Sequence, residues 1–249
     1  MEVHHHSHTP RKKWAHYFWE FLMLFLAVFC GFMAENQREH YIEKLRAKEF
    51  AISLIADLAA DTASLNNTIS IYDTLSGNID SFLRIAASPD LETTSGGKLY
   101  YYGDAANSGF RMAFNTATLE QLKSSGSLRY FPAVIKKKIA DYDQAVQWFN
   151  LRQGNEPLLS IETSKYLVKI FDNRILAKLY SIHSPDSLLK FRETDYKLLN
   201  DDPILLKEYA NICFFRQVNW RSRIQTSLMP LKQMAAKLAA ALKEKYNLK

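Results

Sequence analysis

The sequence predicts an all-α protein: an N-terminal transmembrane helix continues into a long stalk helix, which packs in an antiparallel helical bundle with a long C-terminal helix. Three observations carry this expectation. Residues 17–34 read YFWEFLMLFLAVFCGFMA, with a single carboxylate in the run. The 249 residues include only 8 glycines and 7 prolines, too few for the turns of a sandwich or barrel. Glu35 to about Ser76 lacks both residue types, and no glycine follows Pro203.

Composition excludes several classes. With 47% hydrophobic and 23% charged residues the chain is no disordered segment. Its formal charge of +6 comes from 32 basic and 26 acidic residues, a balance that argues against nucleic acid as a partner. Two cysteines, Cys30 and Cys213, cannot build a disulfide framework.

Residues 1–13 form a polar, His-rich, basic tail. His4, His5, His6 and His8 are candidate metal ligands, since neutral imidazoles at this density take zinc, nickel or copper. No carboxylate or cysteine cluster completes a site, so a plain polar tail is the competing reading. Residues 14–34 are the membrane helix. Eighteen apolar-rich residues at 1.5 Å rise cover about 27 Å, close to the hydrocarbon core. No cleavage signal follows: Phe32 stands where a small residue is wanted, and Ala27-Val28-Phe29 does not suit a lipoprotein cysteine at Cys30. Trp14, Tyr17 and Trp19 gather at the N-terminal end, where amphipathic rings prefer the interface. Arg11, Lys12 and Lys13 precede the span, against the more dispersed Arg38, Lys44, Arg46 and Lys48 after it. The closer cluster gives a cytoplasmic N-terminus and an external bulk.

At 100° per residue, Glu20, Ala27, Gly31, Ala34 and Arg38 fall within about 40° of one line along this helix. Small residues at such spacing let helices approach closely in lipid, which makes Glu20, Ala27, Gly31 and Ala34 a candidate self-association face. Chance alignment of small residues is the plainer alternative. Glu20 either snorkels to the headgroups or lines an ion pathway in an oligomer.

Ile55, Leu58, Thr62, Leu65, Ile69 and Tyr72 then recur at alternating steps of three and four, a seam for a partner helix. A bend is expected at Ser76-Gly77-Asn78, and an end at Ser88-Pro89-Asp90. Residues 88–110, with Gly96, Gly97, Gly103 and Gly109, read as a long loop. Within it, Tyr100, Tyr101 and Tyr102 are candidate anchors for a partner, or else tyrosines of a folded lid. A helix starting near Asn115-Thr116 stops at Gly126, and another opens at Pro132. One helix is expected over 157–181, and an undecided stretch reaches Asn200. Asp201-Asp202-Pro203 opens the last helix, which Pro230 should kink.

No nucleotide-binding, metalloprotease or nucleophile-elbow motif occurs, and beyond residue 16 the only histidines are His40 and His183. Asp141 with Asp143, and Asp201 with Asp202, read as surface carboxylates. Arg216, Arg221 and Arg223 beside Trp220 offer a polyanion-binding face; Lys136-Lys137-Lys138 is a solvated run. Lys237, Lys243, Lys245 and Lys249 suit either lipid headgroups or the helix C-terminal dipole. No cofactor and no enzymatic activity are called for.

The His-bearing basic tail, the run FWEFLMLFLAVFCGFMAENQREH, the segment LIADLAADTASL and the element TATLEQLKSSGSLRYF together resemble an uncharacterised family of single-pass membrane proteins of Bacteroidota-type bacteria, a domain of unknown function. The likeness covers the first 75 residues best and returns over 115–131. It implies a bacterial membrane protein and supplies no catalytic residues; with the charges flanking the span, the expected location is the inner membrane with the N-terminus cytoplasmic and the bulk in the periplasm. The expected function is a membrane-anchored scaffold or interaction protein. Its expected partners are lipid, further copies of itself and an envelope protein. A sensor-like ligand-binding ectodomain acting through a partner, or an oligomeric ion-pathway subunit, is the alternative.

Overall fold

Scarce glycine and proline translate into nine α-helices and no strand among the described residues, which are 14–88 and 94–248 of the computed structural model. The chain divides into two units, Met1–Phe50 and Ala51–Lys249. Helix α1 (Trp14–Ala86) is 73 residues long. In the second unit it buries Leu54, Leu58, Leu65, Tyr72, Ile79 and Phe82. Ile55, Thr62 and Ile69 lie half-buried at the edge of that stripe. The helix runs on through the expected interruption at Ser76-Gly77-Asn78 without a break. Ser76 and Ile79 are both buried while Gly77 is exposed, so packing on either side outweighs the roughly 1 kcal/mol penalty of a helical glycine.

The expected loop over 88–110 is also corrected. It contains α2 (Gly96–Gly103) and a 3₁₀ turn, Asp104–Asn107. Its glycines serve close approach: a Cβ on Gly96 would collide with the Tyr196 backbone, and one on Gly97 with the Phe191 carbonyl. Gly97 N–H donates to the Thr194 carbonyl at 2.9 Å.

Helix α3 (Ala117–Ser124) ends before Gly126, whose φ of 67° meets the left-handed requirement of a stop. Helix α4 (Ala133–Gln153) follows Pro132. The single helix expected over 157–181 is two, α5 (Glu156–Ile170) and α6 (Asn173–Tyr180). Asp172 separates them by accepting the Arg174 N–H at 2.8 Å, an N-cap that restarts the helix. Ser184 caps α7 (Pro185–Glu193) in the same way. Asp202 caps α8 (Pro203–Arg223) with Pro203 in the first turn, as the sequence indicates.

A π turn, Ile224–Leu228, joins α8 to α9 (Met229–Tyr246). The kink expected at Pro230 takes this form: widening the turn ahead of the ring makes room for a residue that cannot donate.

Helices α1 and α8 run antiparallel. Gln217 donates to the Ser76 carbonyl at 2.7 Å, and one turn on Trp220 stacks on Tyr72 at 5.6 Å between ring centroids. Helix α9 carries the return path along α1, with Leu231, Ala235, Leu238 and Leu242 buried. Around this pair α4 packs on α9, α5 on α8 and α2 on α7.

Candidate functional site

The first unit presents an apolar helix that nothing among the described residues covers. Within α1 one stretch is long and apolar enough to cross a membrane, and none of it is buried. Large side chains point out all round: Phe18, Phe21, Leu24, Phe25, Val28, Phe29 and Phe32 are exposed. A helix apolar on every face calls for cover all round, from a protein core or from a membrane. Ala27, Gly31 and Ala34 lie on this exposed surface, and a Cβ on Gly31 would meet nothing within 4 Å. Glu20 does not stand alone. His16 Nε2 is 3.0 Å from its carboxylate one turn earlier, the spacing of four at which side chains on one helix face meet.

The tyrosine triplet is placed differently from the expectation of a contact loop. Tyr100 is fully buried, donating to the Lys197 carbonyl at 3.0 Å and accepting the Asp172 N–H at 2.8 Å. It cannot anchor a partner, because its ring fills the contact with Phe171 and Tyr196. Tyr101 and Tyr102 are half-buried, and Arg192 lies over both rings while donating to the Tyr102 hydroxyl. His4, His5, His6 and His8 lie outside the described residues, as does Lys249. No group of three or more potential metal ligands occurs among the described residues.

The polyanion-binding reading of Arg216, Arg221 and Arg223 fails. Arg221 is exposed and paired with Asp80. Arg216 and Arg223 are 1% and 9% exposed at their side chains and converge on Glu156, itself 3% exposed. Arg216 Nη1 lies 3.4 Å from the carboxylate, and Arg223 Nη2 lies 2.5 Å from it. Arg216 also donates to the carbonyls of Ala106 and Ser108 at 3.1 and 2.9 Å, and Arg223 to the Tyr72 hydroxyl at 3.2 Å. Burial pulls the Arg216 guanidinium below its usual range, opposed by Glu156, and pushes the Tyr72 phenol up. The cluster ties α1, α5, α8 and the turn after α2 together in the core.

A second buried carboxylate, Asp61, has no ion pair among the described residues and three donors. These are the Asn115 N–H at 2.8 Å, the Asn115 amide at 2.9 Å and the Tyr142 hydroxyl at 2.8 Å. Desolvation, then this contact, pushes the Tyr142 phenol well above its ordinary value. Cys213 is buried beside Tyr209, and desolvation pushes its thiol up to about 12. Such a thiol is protonated and inert at neutral pH. Asp141 pairs with Lys137, and Asp143 with Lys123, as surface carboxylates do. A shallow groove of about 680 Å³ between α4 and α9 is lined by Gln144, Trp148, Leu151 and Met234.

No family model, no curated protein and no solved structure matches this chain.

Proposed function

We propose that the chain is a membrane-anchored helical-bundle scaffold. It self-associates through the face carrying Glu20, Ala27, Gly31 and Ala34 and presents its second unit to an envelope protein. It sits in a bacterial inner membrane with the N-terminus cytoplasmic and the bulk periplasmic, and it works by binding rather than by turnover. The observation that carries this reading is the exposed apolar segment of α1. Exposure of a dozen large apolar side chains in water is strongly unfavourable, and lipid removes that penalty. The open surface at Gly31 supports close helix approach within the bilayer.

The test is the assembly state of the full chain in mild detergent, with and without Gly31→Leu. An oligomer that the substitution disperses is expected; a monomer indifferent to it overturns the scaffold reading. Protease digestion of spheroplasts against lysed membranes tests orientation, with cleavage in intact spheroplasts expected. The α4–α9 groove favours the sensor-like alternative. A change in Trp148 emission on exposure to an envelope extract, absent in Leu151→Asp, would move the reading toward it.

A further inference from the structure

We infer that a second copy of this chain pairs with α1 beyond the apolar segment, as a parallel coiled coil reaching Glu49. The inference rests on the self-association proposed above and extends it into water. Within the first unit, Leu24, Ala27, Gly31, Ala34, Arg38, Tyr41, Leu45 and Lys48 follow one another at alternating steps of three and four. Six of these eight are small, apolar or aromatic and only Arg38 and Lys48 are charged, a heptad spacing that keeps one face of a helix turned toward a partner helix. The small residues stop at Ala34. The stripe is then taken over by Tyr41 and Leu45, which remain 63% and 45% exposed.

The charges beside the stripe fit a second copy. With Gly31, Arg38 and Leu45 at a positions and Ala34, Tyr41 and Lys48 at d, Lys44 falls at g and Glu49 at the e position that follows. In a parallel pair these are the positions that meet across the seam, so Lys44 of each copy faces Glu49 of the other. Both are exposed, and neither has an ion-pair partner among the described residues. Arg38 and His40, by contrast, are matched within the chain, by Glu35 and Glu43. The Glu35 contact also neutralises the one guanidinium that the seam contains. Two copies anchored with the same topology run parallel, so the register and the membrane anchor demand the same orientation.

The experiment uses the full chain in membranes with Cys30 replaced by alanine and Cys213 left in the core. Single cysteines are introduced as Ala27→Cys, Tyr41→Cys, Leu45→Cys and, on the opposite face, Asn36→Cys. Mild oxidation is expected to yield a disulfide-linked dimer from the first three and little from Asn36→Cys. In detergent, Lys44→Glu and Glu49→Lys should each lower the dimer fraction several-fold, and the two together should restore it. Cross-linking of Ala27→Cys without Tyr41→Cys or Leu45→Cys overturns this inference and leaves association of the span intact. Cross-linking at none of the positions overturns both. Equal yields at Leu45→Cys and Asn36→Cys would show random collision and overturn the seam.

Discussion

Replacing Glu156 with alanine removes the carboxylate on which the buried arginine cluster converges, and its effect on stability can be worked from the geometry. At an effective dielectric of 20, unit charges 3.4 Å apart attract by about 5 kcal/mol, and at 2.5 Å by about 7 kcal/mol. Those gross attractions offset the several kcal/mol needed to strip water from each buried ion. Without Glu156 the desolvation remains and two guanidiniums repel each other. Breaking a buried pair in this way costs about 3–5 kcal/mol. A typical domain has only about 5–15 kcal/mol in total, so Glu156→Ala should lose about a fifth or more of the fold's stability.

The assay is urea unfolding of the full chain in detergent, followed by far-ultraviolet circular dichroism, with the transition midpoint read against an unchanged slope. The triple variant Glu156→Leu, Arg216→Met, Arg223→Leu serves as comparison. It leaves no uncompensated charge, so it should recover much of the loss. The part that it does not recover is the cost of leaving the carbonyls of Ala106 and Ser108 without their donor. If Glu156→Ala shifts stability by less than about 1 kcal/mol, the cluster is not the buried, mutually dependent unit described above.

Three further outcomes are expected. Tyr142→Phe should cost about 1.5–3 kcal/mol by urea unfolding, because it removes a buried hydrogen bond to the Asp61 carboxylate. In a Cys30→Ala background Cys213 should resist iodoacetamide in the native state and react on unfolding. Since its folded value of about 12 lies above the ordinary 9.0, the fold should lose stability as pH rises from 9 toward 12, a loss that Cys213→Ala removes. Burial raises the Asp104 carboxyl above its ordinary 3.8, opposed by hydrogen bonds from Tyr180 and Asn107. The contribution of that group is therefore complete below pH 3.8 and lost as pH rises through the folded value. Asp104→Asn should gain on the parent protein over that interval in unfolding titrations.

The long helices were legible because local and tertiary preferences agree in them. Leu58, Leu65 and Tyr72 repeat on one face without a breaker, and Asp202 with Pro203 marks the start of α8 by simple capping chemistry. Helix α2 was not legible. Four glycines in and beside a short segment read as loop on propensity, whereas Gly96 and Gly97 are required by contact with a backbone about a hundred residues away. Local composition holds no trace of that neighbour. Arginines that enter a core are equally hidden, because a charged side chain defaults to the surface until a partner such as Glu156 is known. One signal was available: Arg216 and Arg223 share the helix face of Tyr209, Cys213 and Trp220, all apolar or aromatic in character. The apolar segment of α1 lay at the other extreme, since composition alone defines it.

The π turn between Arg223 and Met229 has a consequence for how this chain can change length. A turn closed over five residues holds one residue more than an α-helical turn, so the segment carries a built-in spare. Gln225 and Thr226 face outward there, while Ile224 and Leu228 stay in the core. A deletion elsewhere in α8 or α9 would swing every later side chain by about 100° and turn Leu231, Leu238 and Leu242 away from α1. A deletion at Gln225 instead converts the wide turn to a normal one and leaves both flanking stripes facing inward. Loss of a single residue is therefore absorbed at this turn, and the two halves of the returning helix keep their buried stripes independently of each other.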